Sequence, residues 1–224
     1  MRNQGTDIFT VKSLPAFNFG YRMRLKEYDL NGIVKDLELI LPEYVSDDIE
    51  TKTILSDEEL VIMADSTRIK QAFLNIIKNA VEAMPSGGSL VLATKEVRFA
   101  DIASGFTGTR LARGPCALLT VSDTGMGMDE ITSEKIYEPF FTTKQGVDKG
   151  LGFPMAFSII QNHHGSVKVE SALGMGTTVN VYLPLLRREL LRISPIPLPS
   201  SFASADYYEK YGYLNRPPKA ELFL

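Results

Sequence analysis

Apolar residues recur with a helical period between positions 66 and 84. Ile69, Ala72, Phe73, Ile76, Ala80 and Met84 fall on one side of a 3.6-residue helix. Asp65 or Ser66 supplies its cap, and Pro85-Ser86-Gly87-Gly88 stops it. A shorter helical pattern, Ile33, Leu37, Ile40 and Leu41, follows Asp29 and Asn31, either of which can cap it, and Pro42 interrupts it. Segments 129–137 and 152–163 read as two further helices. The second tolerates Pro154 because proline fits the first helical turn. Elsewhere the period switches to two. Segments 89–97, 115–123, 167–171 and 177–183 are predicted strands, the last two forming a closing hairpin. Segments 50–55 and 59–64 are two short strands joined by Ser56-Asp57-Glu58. Strands in adjacent hairpins with helices inserted predict an α+β fold. It is a two-layer sandwich, with a mixed, mostly antiparallel sheet and about three helices on one face.

The pattern also divides the chain. Residues 1–28 are expected to be a linker or the end of a preceding helical region, and 29–185 a single domain. Residues 186–224 form a tail of different character, Pro/Ser-rich and then tyrosine-rich at Tyr207, Tyr208, Tyr211 and Tyr213. Composition adds exclusions. With 44% hydrophobic and 23% charged residues the chain is an ordinary globular protein. A net charge of −3 offers no basic footprint for nucleic acid. The single cysteine, Cys116, allows no intrachain disulfide and reads as a small buried hydrophobe in a strand. No apolar run is long enough to span a membrane, and the polar N-terminus lacks a signal-peptide core. The expected location is cytoplasmic, with no membrane contact from this chain; any anchor of a longer protein would lie outside it.

Candidate chemistry sits at the ends of these elements. Gln71, Asn75, Asn79 and Glu82 share one helix face, beside the apolar one. A solvated polar face explains that pattern alone. An amide oxygen is also a neutral ligand for Mg²⁺, which takes waters and phosphate oxygens for the rest of its shell. Asp123 projects where an apolar strand ends, in Asp123-Thr124-Gly125-Met126-Gly127-Met128. A desolvated carboxylate there suits the exocyclic amine of adenine and opposes the carbonyl of guanine. Gly125 and Gly127 permit close approach of backbone to a ring. Gly150-Leu151-Gly152 runs into a helix, whose first amides favour phosphate, and Lys144 and Lys149 precede it. No P-loop, no complete G-x-G-x-x-G and no Cys/His metal spacing occurs.

In order and spacing these pieces resemble the catalytic, ATP-binding domain of sensor histidine kinases. That domain belongs to a superfamily shared with gyrase, the ninety-kilodalton heat-shock chaperones and mismatch-repair ATPases. Asn75-Ile-Ile-Lys-Asn79-Ala resembles the N box, Asp123-Thr-Gly-Met-Gly-Met the G1 box and Glu138-Pro-Phe-Phe-Thr-Thr-Lys144 the F box. Gly150-Leu-Gly-Phe resembles the G2 box and Gly174-Met-Gly-Thr-Thr178 the last glycine motif. Asn79-Ala-Val-Glu-Ala-Met-Pro-Ser-Gly-Gly resembles the nitrogen-regulation-like subgroup.

The resemblance implies a Bergerat fold over about residues 29–185 and ATP with Mg²⁺ as ligands. Asn79 would hold the metal, and Asp123 would accept the adenine amine. Gly125 and Gly127 would admit the ring, and Thr177 or Thr178 would support Asp123. Residues 139–150 would close over the phosphates, with Gly150 and Gly152 at the hinge. Glu82, Met128, Phe141, Lys149 and Leu151 would complete the nucleotide contacts. Asn75 and Lys144 are the candidate catalytic residues. Asn75 stands where the family's ATPases carry a glutamate that activates water, so an amide there suits transfer rather than hydrolysis. Val147-Asp148-Lys149 replaces a Gly/Thr pair frequent in the G2 box.

The only histidines, His163 and His164, lack the phosphoacceptor pattern, and helix capping is the better reading for them. The expected function is donation of the γ-phosphoryl of Mg-ATP to a histidine on a separate dimerisation domain, feeding a response regulator. The rival is a regulatory ATP-binding module, like the anti-sigma factors of the superfamily, acting on Ser/Thr or by binding alone.

Overall fold

The computed structural model describes residues 23–98, 114–143 and 150–186. In chain order the elements are β1 (Lys26–Asp29), α1 (Leu30–Glu38), a 3-10 turn (Leu41–Glu43), β2 (Ile49–Ile54), β3 (Val61–Ala64), α2 (Ser66–Glu82), β4 (Gly88–Arg98), β5 (Pro115–Asp123), α3 (Glu130–Lys135), α4 (Gly152–Asn162), β6 (Ser166–Ser171) and β7 (Thr177–Pro184). Five strands form one sheet in the order β2-β4-β5-β7-β6. The β2–β4 pair is parallel and the other three pairs are antiparallel. This is the mixed, mostly antiparallel α+β sandwich that the change of period predicts. The strand connection at 99–113, Lys144, Lys149 and the tyrosine-rich tail lie outside the described residues.

Period two decides which side of the sheet is core. Leu90 and Leu92 of β4, Ala117, Leu119 and Val121 of β5, and Val179, Val181 and Leu183 of β7 join the buried faces of α1, α2 and α4 in one cluster. Phe73 and Ile77 of α2 sit at its centre, fully buried. The alternate residues point away from the helices. There Cys116, Leu118 and Tyr182 form a small second cluster with Val97. Burial pushes the Cys116 thiol up to about 11, so it stays protonated and inert near neutral pH.

The two short strands expected at 50–55 and 59–64 are present as β2 and β3, and they do not pair with each other. β2 joins the main sheet beside β4, while β3 pairs antiparallel with β1, a strand that begins within the segment expected to be a linker or the end of a helical region. Lys26-Glu27-Tyr28-Asp29 has none of the β-branched alternation that announces a strand; it is fixed by its partner, not by propensity. Asp29, not Asn31, caps α1. Its Oδ1 accepts the Asn31 N–H at 3.1 Å and also the Leu60 N–H at 2.9 Å, tying the helix start to the approach of β3. Asn31 is instead a buried crosslink. Its Nδ2 donates to the carbonyls of Ser56 and Glu58, and its Oδ1 accepts from Thr94 Oγ1 at 2.6 Å.

His163 ends α4 and is 3% exposed. Its Nδ1 lies 2.7 Å from the Ile159 carbonyl, and its Nε2 accepts the Asp65 N–H at 3.0 Å. A carbonyl only accepts, so the proton sits on Nδ1 and both ring nitrogens are engaged in the neutral form. Asp65 caps α2, so this imidazole fastens the end of one helix to the start of another. Burial drives the His163 pKa below its ordinary 6.5, against the Ile159 bond and the Asp65 charge, with His164 adding to the depression. With the folded value lowered, the stability His163 contributes is complete above the unfolded pKa and is lost as pH falls through the folded one. His163→Leu is expected to strand the Asp65 N–H at a cost of about 1–3 kcal/mol. It should also flatten the fall in denaturant midpoint between about pH 7 and about pH 5. An unchanged slope in the variant would assign acid sensitivity to other groups.

Candidate nucleotide site

β5 ends on Asp123, which shares the helix-facing side of the sheet with Leu119 and Val121. Directly across from it on β7 stands Thr177, and across from Thr177 on β6 stands Ser171. The next row inward is Val121, Val179 and Val169. The apolar core therefore terminates in a polar row of three residues. Asp123 is 6% exposed. Its Oδ1 accepts the Gly125 N–H at 2.9 Å and the Thr177 N–H at 3.2 Å. Its Oδ2 accepts nothing among the described residues, and no buried side-chain oxygen there lacks a partner, so Oδ2 must reach solvent. Burial raises the Asp123 pKa above the ordinary 3.8, with the Gly125 and Thr177 amides pulling the other way. Such an oxygen, partly desolvated and uncommitted, calls for an N–H donor from outside.

Asn75 and Asn79 stand one turn apart on α2, both half-buried. Asn75 Nδ2 donates to the Gly152 carbonyl at 3.1 Å. The Asn79 amide has no partner among the described residues, and a Cβ added to Gly152 would lie 3.9 Å from its Oδ1. The polar face of α2 thus meets the first residue of α4. Gln71 continues the contact, its Nε2 being 3.6 Å from Met155 Sδ, while Glu82 is exposed at the helix end. The start of α4 carries no side-chain cap. Its first amides remain available to an anion. The end of α2, one turn beyond Asn79, contacts the loop after Asp123. The Asn79 carbonyl accepts the Ala83 N–H at 3.1 Å, and the Ala83 carbonyl accepts the Met126 N–H at 2.9 Å.

The F-box segment is anchored by aromatic packing. Tyr137 is buried edge-on against Phe153 and Phe157, with centroids 5.3 and 5.0 Å apart, which fastens the end of α3 to α4. Phe140 N donates to the Gly150 carbonyl at 3.1 Å, so the two ends of the intervening segment meet. Phe141 lies half-buried beside Lys135, whose Nζ is 5.9 Å from its ring centre. Leu151, half-buried, precedes α4. Lys144 and Lys149 lie outside the described residues.

At Gly125 and Gly127 the protein's own backbone leaves no room for a Cβ. A Cβ on Gly125 would overlap the carbonyl of Ala83 at the end of α2. One on Gly127, held at φ 63, would overlap the carbonyl of Ala172 in the β6–β7 turn. Thr178 points to the opposite face of the sheet, where its hydroxyl lies 2.9 Å from Ser122 Oγ. Thr177 is the threonine that supports Asp123, through its backbone amide. Met128 contributes its N–H to Ser171 Oγ at 2.9 Å. Ser171 and Tyr137 were not picked out from the sequence. Ser171 could have been found from the hairpin register, which sets it opposite Thr177. Tyr137 carried no signal beyond being the last apolar residue before the F box.

Comparison with known proteins bears on the family and the fold. Residues 64–187, more than half the chain, match the family described as histidine kinase-, DNA gyrase B- and HSP90-like ATPases. The chain is 36% identical over 180 residues to sensor kinase CckA of Brucella abortus, covering 80% of this chain and 19% of CckA. It is 34% identical over 162 residues to sporulation kinase C of Bacillus subtilis, covering 71% of this chain and 34% of that protein. It therefore spans about a third or less of the length of these curated relatives. The catalytic domain of histidine kinase ThkA superposes with TM-score 0.57 at 27% identity, over 73% of this chain and 97% of that one. ThkA solved in complex with the response regulator protein TrrA superposes with TM-score 0.54 at 25% identity, over 72% and 42%. No helix among the described residues is long and apolar enough to cross a membrane. With the fold, the order of the motifs and the family match in agreement, the chain belongs to the histidine kinase-, DNA gyrase B- and HSP90-like ATPases and has the Bergerat fold of a histidine kinase catalytic domain.

Proposed function

We propose that this chain binds Mg-ATP through Asp123 and Asn79 and donates the γ-phosphoryl to a histidine on a separate dimerisation domain, in two-component signalling. The observation that carries the reading is the divided carboxylate of Asp123. One oxygen is fixed by two backbone amides, and the other, at the end of an apolar strand, accepts nothing among the described residues. That arrangement receives the exocyclic amine of adenine and repels a carbonyl at the same position.

The residues fit Mg²⁺ in a limited way. No cluster of three or more His, Cys, Asp or Glu side chains capable of holding a metal occurs among the described residues. A magnesium ion that draws most of its shell from waters and phosphate oxygens needs little from the protein. The amide of Asn79, without a partner among the described residues and beside the start of α4, supplies one neutral oxygen where phosphates would lie. When bound, the ion supplies charge neutralisation on the phosphate oxygens. Asn75 holds the Gly152 carbonyl, fixing the α4 start against α2, and its amide has no basic atom to deprotonate water. In the transfer, a histidine nitrogen bonds to the γ-phosphorus as the bond to the bridging oxygen breaks and ADP leaves.

His163 and His164 are not the acceptors in this reading. Both nitrogens of His163 are engaged inside the fold. The chain incubated with Mg-ATP labelled at the γ-phosphorus is expected to form no acid-labile phosphohistidine. Added to the His-bearing dimerisation domain of a relative such as sporulation kinase C, it is expected to label that domain. A stable phosphohistidine at 163 or 164 contradicts the reading. Labelled Ser or Thr on a partner would favour the regulatory-module rival. Domain limits near 29 and 185, and a cytoplasmic location, belong to the same proposal.

A further inference from the structure

Asp65 joins three parts of the chain. Its Oδ1 accepts the Arg68 N–H at 3.3 Å and caps α2, and its Oδ2 accepts the Arg24 N–H at 3.1 Å. Its own N–H donates to Nε2 of His163, at the end of α4. Arg24 stands two residues before β1, the strand through which residues 1–22 join the domain. That strand is four residues long, and its register with β3 stops at Lys26 opposite Ala64. The Asp65 carboxylate takes over where the ladder ends and extends the hold on the entering chain.

This arrangement requires a neutral imidazole. The Nδ1 hydrogen is engaged by the Ile159 carbonyl, and Nε2 offers Asp65 a lone pair. A proton taken from solvent goes to Nε2. Two N–H groups then face each other, and the bond to the Asp65 backbone is lost. The imidazolium is left beside the carboxylate of the same residue, a stronger acceptor than any neutral group. The charges bearing on the pair are these: Asp65 favours a proton on His163, His164 opposes it, and Arg68 and His163 act on Asp65. β6, next in the chain, turns Val167 and Val169 toward the helices and keeps the paired Lys168 and Glu170 on its other face. Burial opposes ionisation of Asp65, but the Arg24 and Arg68 amides and the nearby cations prevail and hold its pKa below 3.8. The carboxylate is therefore still charged where a histidine titrates.

We propose that His163 and Asp65 form a proton-operated clasp on the entering chain: neutral His163 leaves the Asp65 carboxylate to hold Arg24, and proton uptake by His163 draws that carboxylate away and releases it. The ligand is the proton, and what it controls is the joint between the domain and the residues that precede it. The clasp does not depend on the nucleotide reading, because none of its residues is assigned to that site.

The test is NMR of the isotopically labelled full chain from about pH 7.5 down to about pH 5, following the His163 ring, the Asp65 carboxyl carbon and exchange of the Arg24 amide. Protection of that amide, corrected for the intrinsic rate at each pH, is expected to fall about tenfold. The fall should share its midpoint with the His163 ring, while Asp65 stays ionised. His163→Gln keeps an acceptor for the Asp65 N–H and takes up no proton, so its Arg24 protection should stay constant. Asp65→Asn keeps a cap for α2 and loses the charge, so the His163 midpoint should move down. If His163→Gln does not fold, the shared midpoint in the wild type decides. Arg24 protection that holds while His163 titrates overturns the clasp, as does a fall that follows the Asp65 carboxyl instead. A fall of equal size in His163→Gln, or an unmoved His163 midpoint in Asp65→Asn, overturns it too.

Discussion

Asn79→Ala is expected to weaken Mg-ATP binding by about a hundredfold while leaving the fold intact. The size follows from what the amide is asked to do. It is the one side-chain ligand proposed for a divalent ion beside phosphate, and water replacing it lacks a fixed position. The intact fold follows from the structure. Asn79 has no partner among the described residues, so truncation strands no protein donor or acceptor. Alanine is also the better helix former by a few tenths of a kcal/mol up to about 0.7. Thermal melting without nucleotide should be unchanged or slightly raised. The diagnostic is the metal: the loss should appear when Mg²⁺ is present and shrink when a chelator removes it. An equal loss in both conditions would make Asn79 a contact to the nucleotide rather than to the ion, and near-normal affinity with Mg²⁺ would remove it from the site.

Asn79 also shows what the sequence made legible. Two asparagines one turn apart inside a helix stand out because their amides compete with helical hydrogen bonds unless something else holds them. The structure gives Asn75 such a partner, the Gly152 carbonyl, and gives Asn79 none among the described residues. The period of the chain foretold that α2 exists, and which residue types share its face. It did not foretell that the face meets α4, because that contact joins residues 77 apart in the chain. The same limit hides how the two short strands pair. β2 and β3 are neighbours in sequence, yet each pairs with a distant segment, and no local pattern records which. The motif marks Gly125 and Gly127 as positions where backbone can approach a ring. The chain itself also approaches them, at Ala83 and Ala172, and so stitches α2 and the β6–β7 turn around the end of β5. Ser171 was invisible for a different reason. A serine at a strand end is commonplace, and only the register that sets it opposite Thr177 gives its hydroxyl a direction.

Asp123→Asn is expected to reduce the preference for ATP over GTP by about a hundredfold. The substitution is conservative in shape and opposite in sense. Asparagine Oδ1 can keep the Gly125 and Thr177 amides, which places an N–H₂ where the free carboxylate oxygen stood. Two donors then face each other across the site when adenine binds, while a 6-oxo purine finds a match. Stability should not suffer. The folded pKa of Asp123 is raised, so its protonation favours folding. That stabilisation is full below the unfolded pKa and is lost as pH rises through the folded one, leaving a buried charge at neutral pH. The variant removes that charge, and its midpoint at neutral pH should equal or exceed the wild type's. The pH dependence of binding gives an independent check. Wild-type ATP affinity should fall as pH drops toward the raised Asp123 value, because a protonated carboxyl can turn its hydrogen toward the amine. The variant has no such titration and should lose that component of the profile. Retained discrimination against GTP with the acid limb still present would mean that another group reads the base.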